Sequence, residues 1–161
     1  MDLSRIISDG EAGAARAALD WAVSHNIPHA GWCLAGRIAE DGVIPSRYDL
    51  KETPTGVHAE RAEMNILDSD GTVIFTLSHR LEGNSALTVL LAKKHRKPCL
   101  YLHELTFQPG RRLARFAREH QIAALNVVGS CASQESGIGA FVKATLDETL
   151  RLLASERRTR R

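Results

Sequence analysis

Short apolar runs alternate with segments of helical periodicity along the whole 161-residue chain. The apolar runs predict five strands, over residues 3–7, 29–33, 72–77, 98–102 and 124–128. The 3.6-residue spacing predicts helices after residues 8–13, over residues 57–67, after residues 82–84, over residues 108–120 and from residue 138 to about 154. Strands that alternate with helices are typical of βαβ units, so the pattern predicts an α/β fold with a mostly parallel sheet of about five strands.

Spacing within the helices also predicts which side chains pack inward. The predicted inward positions are Ala18, Leu19, Ala22 and Val23 in the first helix, and Leu87, Leu90 and Leu91 in the third. Residues 34–54 differ, because they show no convincing period and contain two glycines and two prolines. They are predicted to form a long loop, and a loop of this length in a compact domain is usually functional or mobile.

The composition, with 43% hydrophobic and 25% charged residues, is typical of one soluble globular domain. We place this domain at residues 1–154 and a basic tail at residues 155–161. The last eleven residues contain five arginines and one glutamate but no aromatic side chain on which a base could stack. The tail is therefore predicted to be a frayed, solvated end rather than a nucleic-acid arm.

Three absences narrow the class of protein further. No apolar run approaches the roughly 20 residues needed to cross a bilayer, so no membrane role is predicted. The first residues contain no signal-type stretch, and an odd count of three cysteines argues for reduced thiols, so we expect a cytoplasmic protein. The histidines show no metal-ligand spacing, so no structural metal is predicted.

The predicted topology places a ligand site at one edge of the sheet. Right-handed crossovers bring every strand-to-helix loop to the carboxyl edge, where open α/β folds bind their ligands. The loops expected there are residues 8–13, 33–54, 77–85 and 129–137. Helix N-termini at this edge offer free N–H groups and a positive dipole end, which favour phosphate or another anion.

Polar residues in these loops, and on the helix predicted over residues 57–67, are the candidate ligand contacts. Glycines and short polar residues are predicted to supply turns and N–H donors, and arginines to meet an anion in a bidentate way. The predicted binding residues are Gly10, Gly13, Arg37, Glu40, Asp41, Arg47, Glu60, Arg61, Gly83, Asn84, Ser85, Gly129 and Ser130. For the segment that contains Arg37 and Arg47, an equally open alternative is a solvated loop that ion pairs hold in place.

The first loop, residues 8–13, is ambiguous. It follows a strand and opens a helix, as a phosphate loop does, but its two glycines do not make the G-x-G-x-x-G fingerprint. Asp9 and Glu11 would each repel an anion by about 1 kcal/mol at 4 Å in water. Either the ligand group at this loop is not a phosphate, or the loop is only a turn.

Known catalytic motifs are absent or incomplete. The chain has neither a G-x-S-x-G elbow nor a G-x-x-x-x-G-K-[ST] loop. His58-Ala59-Glu60 with Pro98-Cys99 resembles half of a zinc deaminase signature, but the second cysteine ligand is missing. No catalytic residue is therefore assigned.

Several blocks of the chain resemble the molybdenum carrier proteins, a circularly permuted YpsA-type branch of the SLOG superfamily. The resemblance covers roughly residues 5–150 and is densest between residues 31 and 53. It is carried by Gly31-Trp32-Cys33, Gly36-Arg37, Ala39-Glu40-Asp41-Gly42, Ile44-Pro45, Arg47-Tyr48, Glu52-Thr53, Ala59-Glu60-Arg61, Asn65, Asp68-Ser69-Asp70-Gly71-Thr72, Leu87-Thr88, Lys97-Pro98, Leu125-Asn126-Val127 and Gly129.

The resemblance implies a Rossmann-like, three-layer αβα sandwich that forms a homo-oligomer, a dimer or tetramer, and binds an anionic small molecule. The carrier name implies molybdenum cofactor (molybdopterin), and the superfamily implies a nucleotide or nucleotide-derived ligand. The chain departs from the family in its first loop, where Asp9-Gly10-Glu11-Ala12-Gly13 replaces Gly-Gly-Gln-Thr-Gly. The P-G-G-x-G-T-x-x-E signature of the superfamily's phosphoribohydrolases is also missing.

Three functions follow as hypotheses. The first is a non-catalytic carrier that holds a phosphate-bearing pterin or nucleotide. The second is an enzyme acting on a nucleotide-derived substrate, with Glu40, Asp41 or Glu60 as acid or base. The third is an interaction module whose altered first loop no longer binds a small molecule.

Overall fold

The computed structural model describes residues 3–159, and the side chains up to residue 155. In chain order its elements are β1 (Arg5–Ile7), α1 (Ala14–Ser24), β2 (His29–Ala30), β3 (Trp32–Cys33), β4 (Ile38–Ala39), β5 (Gly42–Val43), β6 (Lys51–Glu52), α2 (His58–Leu67), β7 (Gly71–Phe75), α3 (Gly83–Lys94), β8 (Cys99–Leu102), α4 (Pro109–Glu119), β9 (Ala124–Gly129) and α5 (Ile138–Thr159).

Five strands form the central sheet in the order β2-β1-β9-β7-β8, and every neighbouring pair is parallel. The last strand in sequence, β9, lies between β1 and β7. Helices α1, α4 and α5 pack together on one face, and α2 and α3 pack together on the other. The α/β class and the Rossmann-like, three-layer sandwich expected from the sequence are confirmed.

The side chains of the main core come from alternate positions along the central strands. Val73 and Phe75 of β7, with Leu125 and Val127 of β9, are fully buried against α1, α4 and α5. The intervening positions face α2 and α3 and are partly polar, and the side-chain amide of Asn126 donates to the hydroxyl of Thr72 at 3.1 Å. The sheet is thus buried on both faces, as parallel sheets are.

The predicted second strand is interrupted at Gly31. Residues 29–30 pair with β1, but Trp32 and Cys33 leave the sheet and pair in parallel with β6. Gly31 has φ +148°, and a Cβ there would lie 1.9 Å from the carbonyl oxygen of Ser8. Because the main chain at Gly31 passes this close to Ser8, the single apolar run of residues 29–33 is divided between two sheets.

Residues 34–54 contain more structure than the expected loop. β4 and β5 form an antiparallel hairpin, and the segment covers a second apolar cluster. This cluster consists of Leu19, Cys33, Ala39, Ile44, Tyr48 and Leu50. Its apolar positions follow neither a helical nor a strand period, so no periodicity test could detect it.

Two details of the helices differ from the sequence prediction. Val23 and Leu90, which were expected to point inward, are 48% and 66% exposed. α3 instead buries the small side chains of Thr88 and Ala92. α5 continues to Thr159 rather than ending near residue 154, and residues 160–161 of the predicted tail lie outside the described residues. Within the described residues, no helix is both long and apolar enough to cross a membrane.

Candidate functional site

The first loop is a turn whose backbone N–H groups bond within the protein. The N–H of Gly10 donates to the hydroxyl of Ser8 at 3.3 Å, and the N–H of Glu11 donates to the carboxylate of Asp9 at 2.9 Å. The N–H of Ala12 donates to the Glu11 side chain at 2.9 Å. These donors, which a phosphate loop would present to its ligand, are already occupied.

The glycines of this loop allow close packing. Gly13 has φ +120°, and a Cβ there would lie 2.4 Å from the carbonyl oxygen of Ser130. A Cβ at Gly10, with φ +76°, would lie 2.6 Å from a methyl group of Leu50. The sequence left open whether this loop binds a ligand group other than phosphate or is only a turn. The observed geometry favours a turn.

Arg61 compensates one of the two negative charges of the first loop. It projects from α2 and is 4% exposed. Its Nε lies 3.3 Å from an oxygen of Asp9, and its Nη1 lies 3.8 Å from an oxygen of Glu11. The Nε–H has no hydrogen-bond partner among the described residues, because its geometry toward Asp9 is unsuitable. A buried guanidinium group with an unpaired donor is thus part of this edge.

Arg37 holds the segment of residues 34–54 together. Its guanidinium group donates to four main-chain carbonyls, those of Ile44, Pro45, Tyr48 and Leu50, at 2.9–3.2 Å. The guanidinium group of Arg37, which was predicted to bind an anion, is therefore already bonded to carbonyl oxygens. The structure places Arg37 as a structural residue of its own segment.

Two acidic residues attach the β4–β5 hairpin to neighbouring loops. Glu40 accepts from the N–H and hydroxyl of Ser133, at 2.9 and 2.5 Å, and its own N–H donates to Glu11 at 2.8 Å. Asp41 accepts a bidentate pair from Arg16, at 3.1 Å for each bond. These contacts bring the loops of residues 8–13, 33–54 and 129–137 together.

Arg47, in the same segment of residues 33–54, points to its outer side. Its side chain is 65% exposed, stacks on the ring of Tyr48 and lies 3.8 Å from Asp20 of α1. The hydroxyl of Tyr48 donates to Asp20, and burial together with this carboxylate raises the pKa of Tyr48 above its ordinary value of 10.0. Arg47 therefore contacts the outer surface of the second apolar cluster.

The N-termini of α2 and α3 form the open part of the edge. Neither helix has a side-chain cap in the described structure. The two ends meet where Nη2 of Arg61 and Nδ2 of Asn84 donate to Nδ1 of His58, at 3.1 and 3.4 Å. Gly83 and Asn84 are exposed and Ser85 is half-buried. Two first turns without side-chain caps, with their positive dipole ends, therefore lie next to the buried Arg61.

The loop after β9 contributes Ser130 and an acidic residue that was not predicted, Glu135. The hydroxyl of Ser130 and the N–H of Leu77 donate to one oxygen of Glu135, and the N–H of Ser78 donates to the other, at 2.9 Å for Leu77 and 2.7 Å for Ser78. Burial opposes ionisation, but the hydrogen bonds outweigh it and hold the pKa of Glu135 below its ordinary value of 4.5. This carboxylate joins the loops after β7 and β9.

Family comparison agrees with this architecture. The model of the circularly permutated YpsA SLOG family matches residues 6–150. The chain belongs to this family. A solved structure named "putative molybdenum carrier protein", from Syntrophus aciditrophicus, is 38% identical to this SLOG protein, with a TM-score of 0.88. The similarity covers 92% of this chain and 95% of that chain, whereas no curated protein matches.

The remaining predicted residues of this SLOG protein have structural partners. Glu60 accepts from the hydroxyl of Thr55. A Cβ at Gly129 would lie 2.1 Å from the carbonyl oxygen of Phe75, so this glycine lets two strands approach. Sequence reasoning noticed His58 only within an incomplete deaminase pattern, and no spacing rule pointed to Glu135.

The cysteines are poor ligands for a metal in this SLOG protein. Burial, followed by the nearby Glu11 and Glu40, raises the pKa of Cys131 to about 11, and burial also raises that of Cys33. Both thiols therefore stay protonated at neutral pH. Among the described residues, no group of three or more His, Cys, Asp or Glu side chains is arranged to hold a metal ion.

Proposed function

We propose that this protein is a carrier that binds an anionic, phosphate-bearing small molecule, with a molybdenum-containing pterin as its cargo. The similarity to a structure named for molybdenum carriage supports the class of cargo. The carboxyl edge of the sheet supports the place, because ligands of parallel α/β folds bind there.

The observation that carries this proposal is the junction of α2 and α3. Two helix N-termini without side-chain caps meet through His58 and Asn84, beside the buried guanidinium group of Arg61. N–H groups, a positive dipole end and an arginine are the donors that proteins use for phosphate. We therefore propose that the phosphate binds to the first turns of α2 and α3, with contacts from His58, Gly83, Asn84 and Ser85.

The other predicted residues are proposed to shape the site. Gly10, Gly13, Arg37 and Arg47 use their conformational freedom or their charge within the protein. Arg61 compensates one of the two negative charges of Asp9 and Glu11, which removes part of the repulsion expected from the first loop. The proposed site therefore contains fewer residues than the sequence predicted, and it lies at the N-termini of α2 and α3.

We propose binding rather than catalysis because the candidate acid–base groups already have donors. Glu40 accepts from Ser133, Asp41 from Arg16 and Glu60 from Thr55. A general base must instead accept its proton from the substrate.

The closed first loop supports a second candidate function, an interaction module. Occupied N–H groups in residues 10–12 are what a site that has lost its ligand would show. Under either function we propose a homo-oligomer, an expectation that rests on the family resemblance, and sedimentation velocity measures it. An interaction module would show the oligomer or a partner protein but no small molecule.

Native mass spectrometry of the protein purified from its own host, with metal analysis of the same sample, tests the proposal. The expected result is a bound mass of a pterin cofactor with stoichiometric molybdenum. If a nucleotide is bound and molybdenum is not found, the protein is a nucleotide carrier rather than a molybdenum carrier. If no small molecule is found, and the purified protein does not bind cofactor or nucleotides in calorimetric titrations, the carrier function is wrong.

A further inference from the structure

Three donors converge on the carboxylate of Glu135. The N–H groups of Leu77 and Ser78 are consecutive in the main chain, and the Ser130 hydroxyl comes from the loop after the neighbouring strand β9. A pair of consecutive N–H groups with a hydroxyl is also a common set of donors for a phosphate oxygen. Here the protein's own carboxylate occupies it.

The donors are fixed independently of Glu135. The Ser78 carbonyl accepts hydrogen bonds from the hydroxyls of Thr76 and Tyr101, at 3.1 Å for Tyr101, which orients this part of the main chain. The N–H of Ser130 donates to the carbonyl of Phe75 at 3.1 Å. The donor set therefore keeps its shape when the Glu135 side chain rotates away.

Glu135 itself can leave without disturbing the fold. It lies in the loop before α5, where residues 132–134 and 136–137 are exposed. Its main-chain N–H bonds to the carbonyl of Cys131 at 3.0 Å, within the same loop, so rotation of the side chain breaks no hydrogen bond between two main-chain groups and frees only the three donors of the set.

A carboxylate at the opposite edge of the sheet provides a contrast. Asp70 also accepts from two consecutive N–H groups, those of Ala123 and Ala124, at 2.9 and 2.8 Å. Its own N–H donates to the carbonyl of Ala124 at 2.8 Å, so backbone and side chain are held by the same strand. Asp70 thus has a structural role at the amino edge, whereas Glu135 lies at the edge where ligands bind.

We infer that the Leu77–Ser78–Ser130 donor set is an oxyanion subsite, and that a tetrahedral oxyanion enters it by displacing the carboxylate of Glu135. Naming this oxyanion as a second anionic group of the cargo, beside the phosphate proposed to bind at α2 and α3, rests on the proposed function. The displaced carboxylate stays on the protein and moves toward solvent, so the oxyanion adds its own charge to an edge that already holds Asp9, Glu11, Glu40 and Asp41. Glu135 therefore sets the affinity of the site and selects ligands able to compete with a carboxylate.

Three variants test the inference, each titrated with inorganic phosphate, molybdate and adenosine monophosphate by calorimetry. Glu135→Ala is expected to bind inorganic phosphate and molybdate at least tenfold more tightly than the wild type. Asp70→Ala, which vacates a similar pair of N–H groups at the other edge, is expected to show no gain. Glu135→Gln, which keeps the side-chain volume but weakens the acceptor, is expected to show a smaller gain and serves as the test if the alanine variant does not fold.

The site of binding is checked by amide resonances. Phosphate should shift the N–H signals of Leu77 and Ser78 in Glu135→Ala, but not those of Ala123 and Ala124. A preference for inorganic phosphate identifies a free oxyanion as the occupant, and a preference for adenosine monophosphate identifies the phosphate of a larger ligand. Less than a twofold gain in both Glu135 variants, or an equal gain in Asp70→Ala, overturns the inference.

This outcome is independent of the carrier function. If the wild type carries no cofactor but Glu135→Ala gains oxyanion binding, the proposed function fails and the subsite stands. If the wild type carries its cargo and Glu135→Ala gains nothing, the function stands and the subsite does not.

Discussion

The two halves of the carboxyl edge are built in opposite ways. The closed half contains the first loop and residues 34–54, where N–H groups, carboxylates and Arg37 bond to one another. The open half contains the N-termini of α2 and α3, which have no side-chain caps in the described structure. Both halves are rich in polar residues, and sequence composition does not distinguish them.

The difference shows that polar residues identify a binding site only when their hydrogen bonds remain available. In the closed half the donors already have intramolecular acceptors, so a ligand would have to replace those bonds. In the open half the first turns of α2 and α3 lack side-chain caps, and Gly83 and Asn84 are exposed, so we expect a ligand there to replace mainly water. We therefore expect variants of the closed half to change stability and variants of the open half to change binding.

The largest effect is expected for Gly13→Ala in the closed half. Positive φ costs about 1–2 kcal/mol for a residue with a Cβ, and this Cβ would also lie 2.4 Å from the carbonyl oxygen of Ser130. Together with the repacking required, the free energy of unfolding should fall by about 3–5 kcal/mol in urea denaturation. Gly42→Ala is the matched control, because φ there is +113° but no atom lies within 4 Å. Similar losses in the two variants would show that packing against Ser130 is unimportant.

Arg37→Ala is expected to have the next largest effect. It removes a charged donor from four carbonyl groups, and the expected loss of stability is about 2–3 kcal/mol. Arg37→Lys should recover little, since a lysine keeps the charge but lacks the planar fork. Urea denaturation measures both variants. Unchanged stability with a large loss of ligand affinity would instead place Arg37 in contact with the ligand.

Asn84→Asp separates binding from stability in the open half. A carboxylate in the first turn of α3 favours the helix, by up to about 1 kcal/mol, but it repels an anion. The affinity for a phosphate-bearing ligand should fall about tenfold, equivalent to about 1.4 kcal/mol, without loss of thermal stability. Asn84→Ser, which is neutral and polar, is the control and should bind within about a factor of two of wild type. Unchanged binding in Asn84→Asp would exclude the α3 N-terminus from the site.

The smallest effect on stability is expected for Glu135, whose carboxylate joins the loops after β7 and β9. Because folding lowers its pKa below 4.5, its ionised form stabilises the protein above about pH 4.5, and this contribution is lost as the pH falls through the folded-state pKa. Wild type should exceed Glu135→Gln in stability by about 1 kcal/mol at pH 7, and the difference should shrink below pH 4.5. Urea denaturation across this pH range measures it. A constant difference would mean that the charge of Glu135 does not contribute.

Periodicity predicted most of the fold correctly. The central strands and all five helices follow from local spacing, since burial on one or both faces repeats every 3.6 or 2 residues. Gly31 is the exception among the strands, because its close approach to Ser8 comes from a different part of the chain. Leu90 is the exception in α3, because the depth of packing against the sheet decides which of its apolar residues is buried.

The candidate site was predicted less well. The loops of residues 8–13, 33–54, 77–85 and 129–137 follow from the topology of parallel strands. Arg37 in the second loop and Arg61 on the helix after it were equivalent candidates in sequence, yet Arg37 binds carbonyls of its own segment and Arg61 lies buried beside two carboxylates. Glu135 has partners 57 and 58 positions away, which no local pattern can indicate.

By itself, the sequence determined the alternation of strands and helices, the parallel sheet, the edge at which the loops gather and the family resemblance. These properties depend on near neighbours in the chain, whose spacing is written directly in the residues. Only the tertiary structure decided which donors at that edge stay free. A hydrogen-bonding group takes whichever partner lies within about 3 Å, and the partners of Asp41, Glu40 and Glu135 are brought there by folding from 25 to 93 positions away.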